Sequence, residues 1–265
     1  MLWDKSEMNS AGRHNKIVEI VLQTGRINII DICEMFGVSE MTARRDLNEL
    51  DRTGLLRRVH GGAIASLGRS YEPSFQTRVT KNQSAKIAIG LKAAELVYDG
   101  DSIALDVGTT TLEIVPGLQG KRSLTIVTSC LPIAGKIVDQ ASLEIDARLI
   151  LTGGIVRPRE LSMIGSIPEQ VYKDLHVDKA FIGIGGLSLE DGLTEYNIED
   201  TQIKRMLIRS AREKIVVADG AKFGVTTFAS VAPLTAIDKI VTDKSAPPEM
   251  IEQIRKQGVE VILAD

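Results

Sequence analysis

The sequence of 265 residues is short of the features that mark several large protein classes. It has two cysteines, Cys33 and Cys130, which fall in what read below as separate domains, so no disulfide framework is expected. Its three histidines, His14, His60 and His176, are scattered, and no Cys/His spacing resembles a metal-ligand set. Apolar runs such as Ile215-Val216-Val217-Ala218 are far too short to span a bilayer. The start, Met1-Leu2-Trp3-Asp4-Lys5-Ser6-Glu7, lacks the apolar core of a signal peptide, so a cytoplasmic protein with no membrane partner is expected. There is no Gly-x-x-x-x-Gly-Lys-Ser/Thr loop, which argues against a nucleoside triphosphatase, and no cofactor is implied. Internal repeats and low-complexity tracts are absent too. Nor is there an excess of positive charge: the net charge is −3.

What is present is an ordinary globular composition, 43% hydrophobic and 25% charged. The charge is unevenly spread. Residues 1–69 hold ten Lys/Arg against nine Asp/Glu, the rest 22 against 26, and from Arg52 to Arg69 there are four arginines and no acid. Such a stretch is compatible with phosphate contacts, although most short basic stretches are solvated surface.

Three short helical patterns open the chain. Ile17, Ile20 and Val21 line one face of the first, which Gly25 ends. The second follows Asn28, a good N-cap with Asp31 in the first turn, and carries Ile29, Ile32, Cys33 and Phe36 on one face. Gly37-Val38-Ser39 is a tight connection, with Gly37 suited to a left-handed position and Ser39 to a cap. The third helix runs from about Glu40 to Asp51. Its Ala43, Leu47 and Leu50 cluster on one arc, opposite Met41, Arg45 and Asn48, with Thr42 and Arg44 on the flanks. That is the layout of a helix-turn-helix recognition helix, in which Arg can bond guanine edges, Asn adenine edges, and Thr and flanking Arg phosphates. An exposed helix face is also commonly charged for solubility alone. The next run, Leu55-Leu56-Arg57-Arg58-Val59-His60-Gly61-Gly62-Ala63-Ile64, reads as a β-hairpin wing whose glycines permit positive φ and which Arg57, Arg58 and His60 decorate. The candidate DNA-binding set is Ser39, Met41, Thr42, Arg44, Arg45, Asn48, Arg57, Arg58, His60 and Gly61.

The run Gly37-Val38-Ser39-Glu40-Met41-Thr42-Ala43-Arg44-Arg45-Asp46-Leu47, then Leu50, Gly54 and Arg58-Val59-His60-Gly61-Gly62-Ala63, resembles the N-terminal signature of the DeoR family, bacterial repressors of sugar-catabolic operons. Ala43 stands where that family more often has Val or Ile, a buried-face change expected to loosen packing without abolishing DNA reading.

After a winged helix-turn-helix domain over 1–64, residues 65–83 lose periodicity and read as a linker, in part packed because Tyr71 and Phe75 are poor candidates for full solvation. Over 84–265, Ser84 is expected to cap a helix with Ile87, Leu91 and Ala94 on one face. Short apolar runs at 102–105, 124–127, 149–151, 180–184, 215–218 and 239–241 alternate with helical stretches, including 200–213 and 247–257, where Pro247 and Pro248 suit a first turn. The alternation predicts an α/β domain on a largely parallel sheet.

Five successive strands end in glycine, small hydroxyl or charged residues: Asp106-Val107-Gly108-Thr109-Thr110-Thr111, Thr128-Ser129, Thr152-Gly153-Gly154, Gly185-Gly186 and Asp219-Gly220-Ala221-Lys222. One such ending is routine turn chemistry; five suggest a shared polar pocket, because ligands of open parallel sheets bind at the C-terminal strand ends. Gly108-Thr109-Thr110-Thr111 opening a helix suits an anion, Lys222 offers a cation, and Asp106 and Asp219 can accept from sugar hydroxyls. The candidate effector set is Asp106, Gly108, Thr109, Thr110, Thr111, Thr128, Gly153, Gly154, Gly186, Asp219 and Lys222. Three of these endings, together with Asp191-Gly192-Leu193-Thr194, resemble the C-terminal sensor of the DeoR family, which implies a fold similar to ribose-5-phosphate isomerase and a phosphorylated sugar or polyol as effector. Thr128-Ser129-Cys130-Leu131 departs from the family's usual Thr-Asn-Ser-Leu, and Ala221 replaces Ser, so the usual effector does not transfer directly. The expected partners are an operator duplex, a sugar phosphate and further copies of the chain, as dimer or tetramer. No catalytic residue is expected. The rival is an isomerase-like enzyme with an appended DNA-binding domain, for which Glu195 and Glu199 are the nearest carboxylates.

Overall fold

The computed structural model describes residues 10–52, 56–65, 68–139 and 145–265, and the chain divides into two compact units, 1–71 and 72–265. In the first unit α1 (Ser10–Thr24), α2 (Ile29–Phe36) and α3 (Glu40–Arg52) enclose a core of Ile17, Val21, Ile32, Ala43, Leu47 and Leu50. Gly25 and Gly37, at φ +79° and +65°, end the first two helices, and Ser39 Oγ accepts the Thr42 N–H at 3.2 Å to cap the third. The hairpin β2 (Leu56–Val59) and β3 (Gly62–Ala65) turns through His60-Gly61. A short strand absent from the sequence reading, β1 (Arg26–Asn28), pairs with β3 to give the order β1-β3-β2. The two glycines of the turn therefore do different work. Gly61 has φ +81°, whereas Gly62 lies in β3 at negative φ, where a Cβ would stand 2.1 Å from the Ile27 carbonyl oxygen.

One buried charge cluster joins α1 to α3. Asp46 accepts from Arg13 Nε at 2.6 Å and lies 2.9 Å from His14 Nε2, with 1% of its surface exposed. Burial works to raise the Asp46 carboxyl pKa, but the Arg13 and His14 hydrogen bonds outweigh it and hold the group below the ordinary carboxylate value.

The second unit begins at Glu72. Residues 72–83, twelve of the nineteen expected to link the domains, belong to it: Ser74 caps α4 (Phe75–Thr80), and Phe75 is buried in the core of this unit. Next comes α5 (Gln83–Ala94), which starts after Asn82 rather than at Ser84. Ile87 and Leu91 are exposed, and the buried face is Lys86, Ile89, Gly90, Ala93 and Ala94. This is a face of small residues because a 3-10 helix, Thr111–Leu118, packs closely on it: a Cβ on Gly90 would lie 2.3 Å from the Glu113 carbonyl.

The sheet is built from β4 (Ser102–Leu105), β5 (Leu124–Thr128), β6 (Ala147–Leu151), β9 (Val177–Ile182), β12 (Ala211–Val217), β14 (Lys239–Asp243) and β15 (Glu260–Ala264). All neighbours are parallel, in the order β15-β14-β12-β9-β4-β5-β6. α6 (Leu131–Asp139), α7 (Ser166–Asp174), α8 (Ile198–Ser210) and α9 (Pro248–Lys256) complete the α/β layers. Two additions were not read from the sequence: the hairpin β7 (Ile155–Arg157)–β8 (Ser162–Ile164), and a small antiparallel sheet of β10 (Gly186–Ser188), β11 (Gly192–Glu195) and β13 (Ala229–Ala232). Apolar side chains of the sheet fill two cores. One contains Ile103, Leu105, Ile126 and Phe181 with α5; the other contains Ala180, Ile182 and Val216 with α8 and α9. No helix among the described residues is long and apolar enough to cross a membrane.

Candidate functional site

On α3 the side chains of Met41, Arg44, Arg45 and Asn48 are exposed, Met41 at 81%. Ser39 and Thr42 are partly spent on each other, their hydroxyls 3.1 Å apart in the cap. Arg44 pairs with Glu40 at 3.2 Å. The wing is bound to the helix: Arg58 Nη1 donates to Asn48 Oδ1 at 2.8 Å and to the Arg44 carbonyl at 3.2 Å, and its N–H donates to Asp51 at 2.9 Å. Arg58 thus orients Asn48, while Arg57 and His60 stay at the surface. The layout is an exposed face of α3 and wing around Arg45, which has no hydrogen-bond or salt-bridge partner among the described residues.

In the second unit the strand order reverses at β4. The chain continues from β4 to β5 and β6 on one side, and β9, β12, β14 and β15 lie on the other. A crevice at the C-terminal end of the β4–β9 boundary is the expected ligand position of an open α/β sheet. Asp106 closes its floor, its N–H donating to the Phe181 carbonyl at 3.0 Å and its Oδ2 accepting the Gly183 N–H at 3.1 Å. Gly183 and Gly185 let the chain pack closely at this point. A Cβ would come 3.3 Å from the Val107 carbonyl at the first and 2.9 Å from Glu195 Oε1 at the second. Thr109 and Thr110 follow Gly108 at the end of β4; their side chains make no hydrogen bond among the described residues, and their N–H groups donate to no backbone carbonyl. At the end of β12, Asp219 caps a short 3-10 turn, and Lys222 Nζ reaches the Gly185 carbonyl at 3.3 Å and lies 5.6 Å from the Tyr196 ring centre.

Several expected ligand residues are otherwise occupied. Thr111 does not offer a hydroxyl, because its Oγ1 donates to the Asp106 and Gly108 carbonyls, each at 2.9 Å, and is fully buried. Thr128 donates to the Leu105 carbonyl at 2.7 Å and accepts the Cys130 N–H at 3.1 Å. Gly186 is a strand residue of β10 under the Val225 backbone, where a Cβ would meet an oxygen at 2.3 Å. Gly153 and Gly154 follow β6, two strands, or roughly 10 Å, from β4. Gly154 there permits the approach of Ile164 and Pro168. Asp106, Gly108, Thr109, Thr110, Asp219 and Lys222 are brought to the crevice; Thr111, Thr128, Gly153, Gly154 and Gly186 are spent on building it or lie aside.

The crevice also holds charges that sequence reasoning missed. Lys204 on α8 is buried with its Nζ 2.5 Å from Asp106 and 3.3 Å from Glu195. Burial pushes Asp106 up to about 6, against the pull of Lys204; the ammonium in turn is held protonated by Asp106 and Glu195 despite its own burial. Lys86 on α5 is buried and donates to the Arg78 carbonyl. Burial lowers its pKa to about 8, opposed by Asp219 and reinforced by Lys222, Arg78 and Lys81. Lys222 is lowered for the same first reason. Neither Lys86 nor Lys222 has a carboxylate in salt-bridge range among the described residues; Asp219 acts on both, and Glu195 on Lys222, from further away. Thr227 presents a buried hydroxyl without a partner among the described residues next to Gly185. These residues come from helices and a loop, where a Lys or Glu on an amphipathic pattern reads as solvated surface. Among the described residues no group of His, Cys, Asp and Glu could hold a metal ion.

Comparison with known proteins agrees with both units. Residues 13–66 match the DeoR-like helix-turn-helix domain and residues 81–244 the DeoR C terminal sensor domain. The HTH-type transcriptional regulator GolR of Listeria innocua is 31% identical over 96% of this chain and 98% of its own. The glycerol-3-phosphate regulon repressor of Escherichia coli is 30% identical over 97% of this chain and all of its own. Among solved structures, a ribose 5-phosphate isomerase A from Methanocaldococcus jannaschii is 18% identical and covers 54% of this chain and 55% of its own, with a TM-score of 0.38. With both domain families in order and full-length relatives on either side, the chain belongs to the DeoR family of DNA-binding transcriptional regulators.

Proposed function

We propose that this regulator represses a carbohydrate-catabolic operon, and that its operator affinity is set by a phosphorylated sugar or polyol bound in the β4–β9 crevice. The observation that carries the reading is the pairing, at one strand-order reversal, of two lysines without a salt bridge among the described residues with a glycine and threonine turn whose side chains are unspent. Lys86 and Lys222 supply charge for a phosphate, Thr109 and Thr110 supply N–H and hydroxyl donors, and Asp219 accepts from sugar hydroxyls. A relative named for glycerol 3-phosphate supports a phosphorylated polyol as the ligand class. Operator reading is assigned to Arg45, Met41 and Asn48, with Ser39, Thr42, Arg44, Arg57, Arg58, His60 and Gly61 holding backbone or positioning the readers. A homo-oligomer would present paired recognition helices to half-sites.

The crevice is not assigned a reaction. Glu195, a carboxylate of the isomerase reading, accepts the Tyr196 N–H at 2.8 Å and faces Lys204, so both its oxygens are engaged. Glu199 is exposed in the first turn of α8.

The test is fluorescence anisotropy on DNA flanking the gene, at fixed salt, with a panel of sugar phosphates and their unphosphorylated forms. Specific binding shifted by one phosphorylated sugar, and not by its parent, is the expected result. Specific binding that no phosphorylated compound shifts would remove the ligand assignment, and the absence of specific binding there would turn attention to isomerase activity.

A further inference from the structure

The eleven residues that enter the second unit directly after the DNA-reading unit are pinned to the second unit at both ends, and at the inner end to the crevice. Glu72 accepts from Arg157 Nη2 at 2.7 Å and from Asn197 Nδ2 at 2.9 Å, and pairs with Arg78 at 3.3 Å. The Phe75 N–H donates to the Arg159 carbonyl at 2.9 Å, and Arg78 is paired with Glu160. At the far end Asn82, at φ +52°, donates from Nδ2 to Asp219 Oδ1 at 2.9 Å. Between these pins lies α4, six residues long, too short to hold its own helical form in water. Its last carbonyl-bearing turn is held by the Lys86 ammonium through the Arg78 carbonyl. The group that holds this connector is therefore one of the two lysines of the anion crevice.

We infer that an anionic ligand acts as a release: the Lys86 ammonium leaves the Arg78 carbonyl for the ligand's phosphate, and α4 loses a tether that its length cannot replace. The inference rests on the crevice being an anion site, as proposed above. Three features support it. A carbonyl is a weaker partner for an ammonium than a phosphate oxygen, so the exchange is favourable for Lys86. Lys86 is buried with no carboxylate in salt-bridge range among the described residues, so its charge is better satisfied with the anion than without it. The second pin, Asn82, is bonded to Asp219, the residue proposed to take the ligand's hydroxyls. Ligand at Lys86 and Asp219 thus competes for both inner pins at once, while the outer ones at Glu72 and Phe75 stay.

Hydrogen exchange of the full chain, with inorganic phosphate as the probe and chloride at matched ionic strength as the control, tests this. Phosphate-31 line broadening reports binding separately. Wild type should broaden the phosphate line and lose protection over residues 75–82 on the order of tenfold, within the usual 5–150-fold range of coupling, while α8 is unchanged. Lys222→Met should lose both responses, and Lys86→Met should show the unprotected connector without phosphate. If Lys86→Met does not fold, the comparison of wild type with Lys222→Met still decides. Phosphate bound with no change over 75–82 would overturn the release and leave the anion site standing. No broadening by wild type would overturn the anion site and the release with it.

Discussion

At Asp46 a carboxylate of α3 is turned out of water, toward two groups of α1. Its folded pKa lies below the ordinary value, so its contribution is present above the usual carboxylate range and is lost as pH falls through the folded value. Asp46→Asn should leave the shape of the unit but strand the largely buried Arg13 guanidinium, costing ~3 kcal/mol. Urea unfolding followed at neutral pH and at pH 3 would read this: the mutant loses stability at neutral pH, and the difference from wild type narrows in acid. Arg45 is the contrast, exposed and with no salt-bridge partner among the described residues. Arg45→Ala should leave unfolding within about 0.5 kcal/mol of wild type. It should cost ~1–3 kcal/mol in operator binding with relaxed base preference, and effector affinity should not move. An equal loss on operator and random DNA would make Arg45 a phosphate contact instead of a base reader.

Elements meet in this fold where side chains are missing. Gly62 lets β1 lie against the wing, and Gly90 lets the 3-10 helix Thr111–Leu118 lie on α5. Gly90→Ala should destabilise the second unit by about 1–3 kcal/mol, the usual cost of overpacking a dense interior, with operator affinity of the intact fraction preserved; a neutral result in thermal unfolding would mean that the two helices separate easily. The same close packing explains where sequence reading failed. The helices of the first unit were legible because Ile17, Val21, Ile32, Leu47 and Leu50 repeat at helical spacing and their caps are local. α5 was not, since its inner face is Lys86, Gly90, Ala93 and Ala94, which hydropathy does not pick out, while Ile87 and Leu91 point to solvent. The convergence of Asp106, Gly108, Asp219 and Lys222 was legible in the endings of parallel strands. That Thr111 and Thr128 turn their hydroxyls to backbone carbonyls was not, because a hydroxyl's partner is decided by tertiary contact. Lys86 and Lys204 escaped for the opposite reason: a lone lysine on a helix is read as solvated until the fold buries it.

Across the whole molecule, reading and sensing are coupled only to the extent that each ligand distinguishes the two states of the chain. An effector that weakens operator binding must bind less tightly to the DNA-bound form, by the same factor, typically 5–150-fold. Effector titrations with and without operator duplex check this, and equal affinities would sink the coupling. The titration of Lys86 then gives the molecule a pH signature. The groups facing that ammonium are Asp219, Lys222, Arg78 and Lys81, and together with burial they leave its pKa at about 8. A phosphate needs the charged ammonium, so effector affinity should fall as pH rises through about 8, with a proton taken up on binding near the midpoint. The arginines of α3 and the wing keep their charge throughout, since an arginine does not deprotonate in this range. Operator binding without effector should therefore persist to pH 9, and relief by effector should fade there. Anisotropy of the operator complex from pH 6.5 to 9, at saturating and at zero effector, separates the two curves. If both decline together the loss lies in the DNA-reading unit, and if neither does, Lys86 does not hold the phosphate.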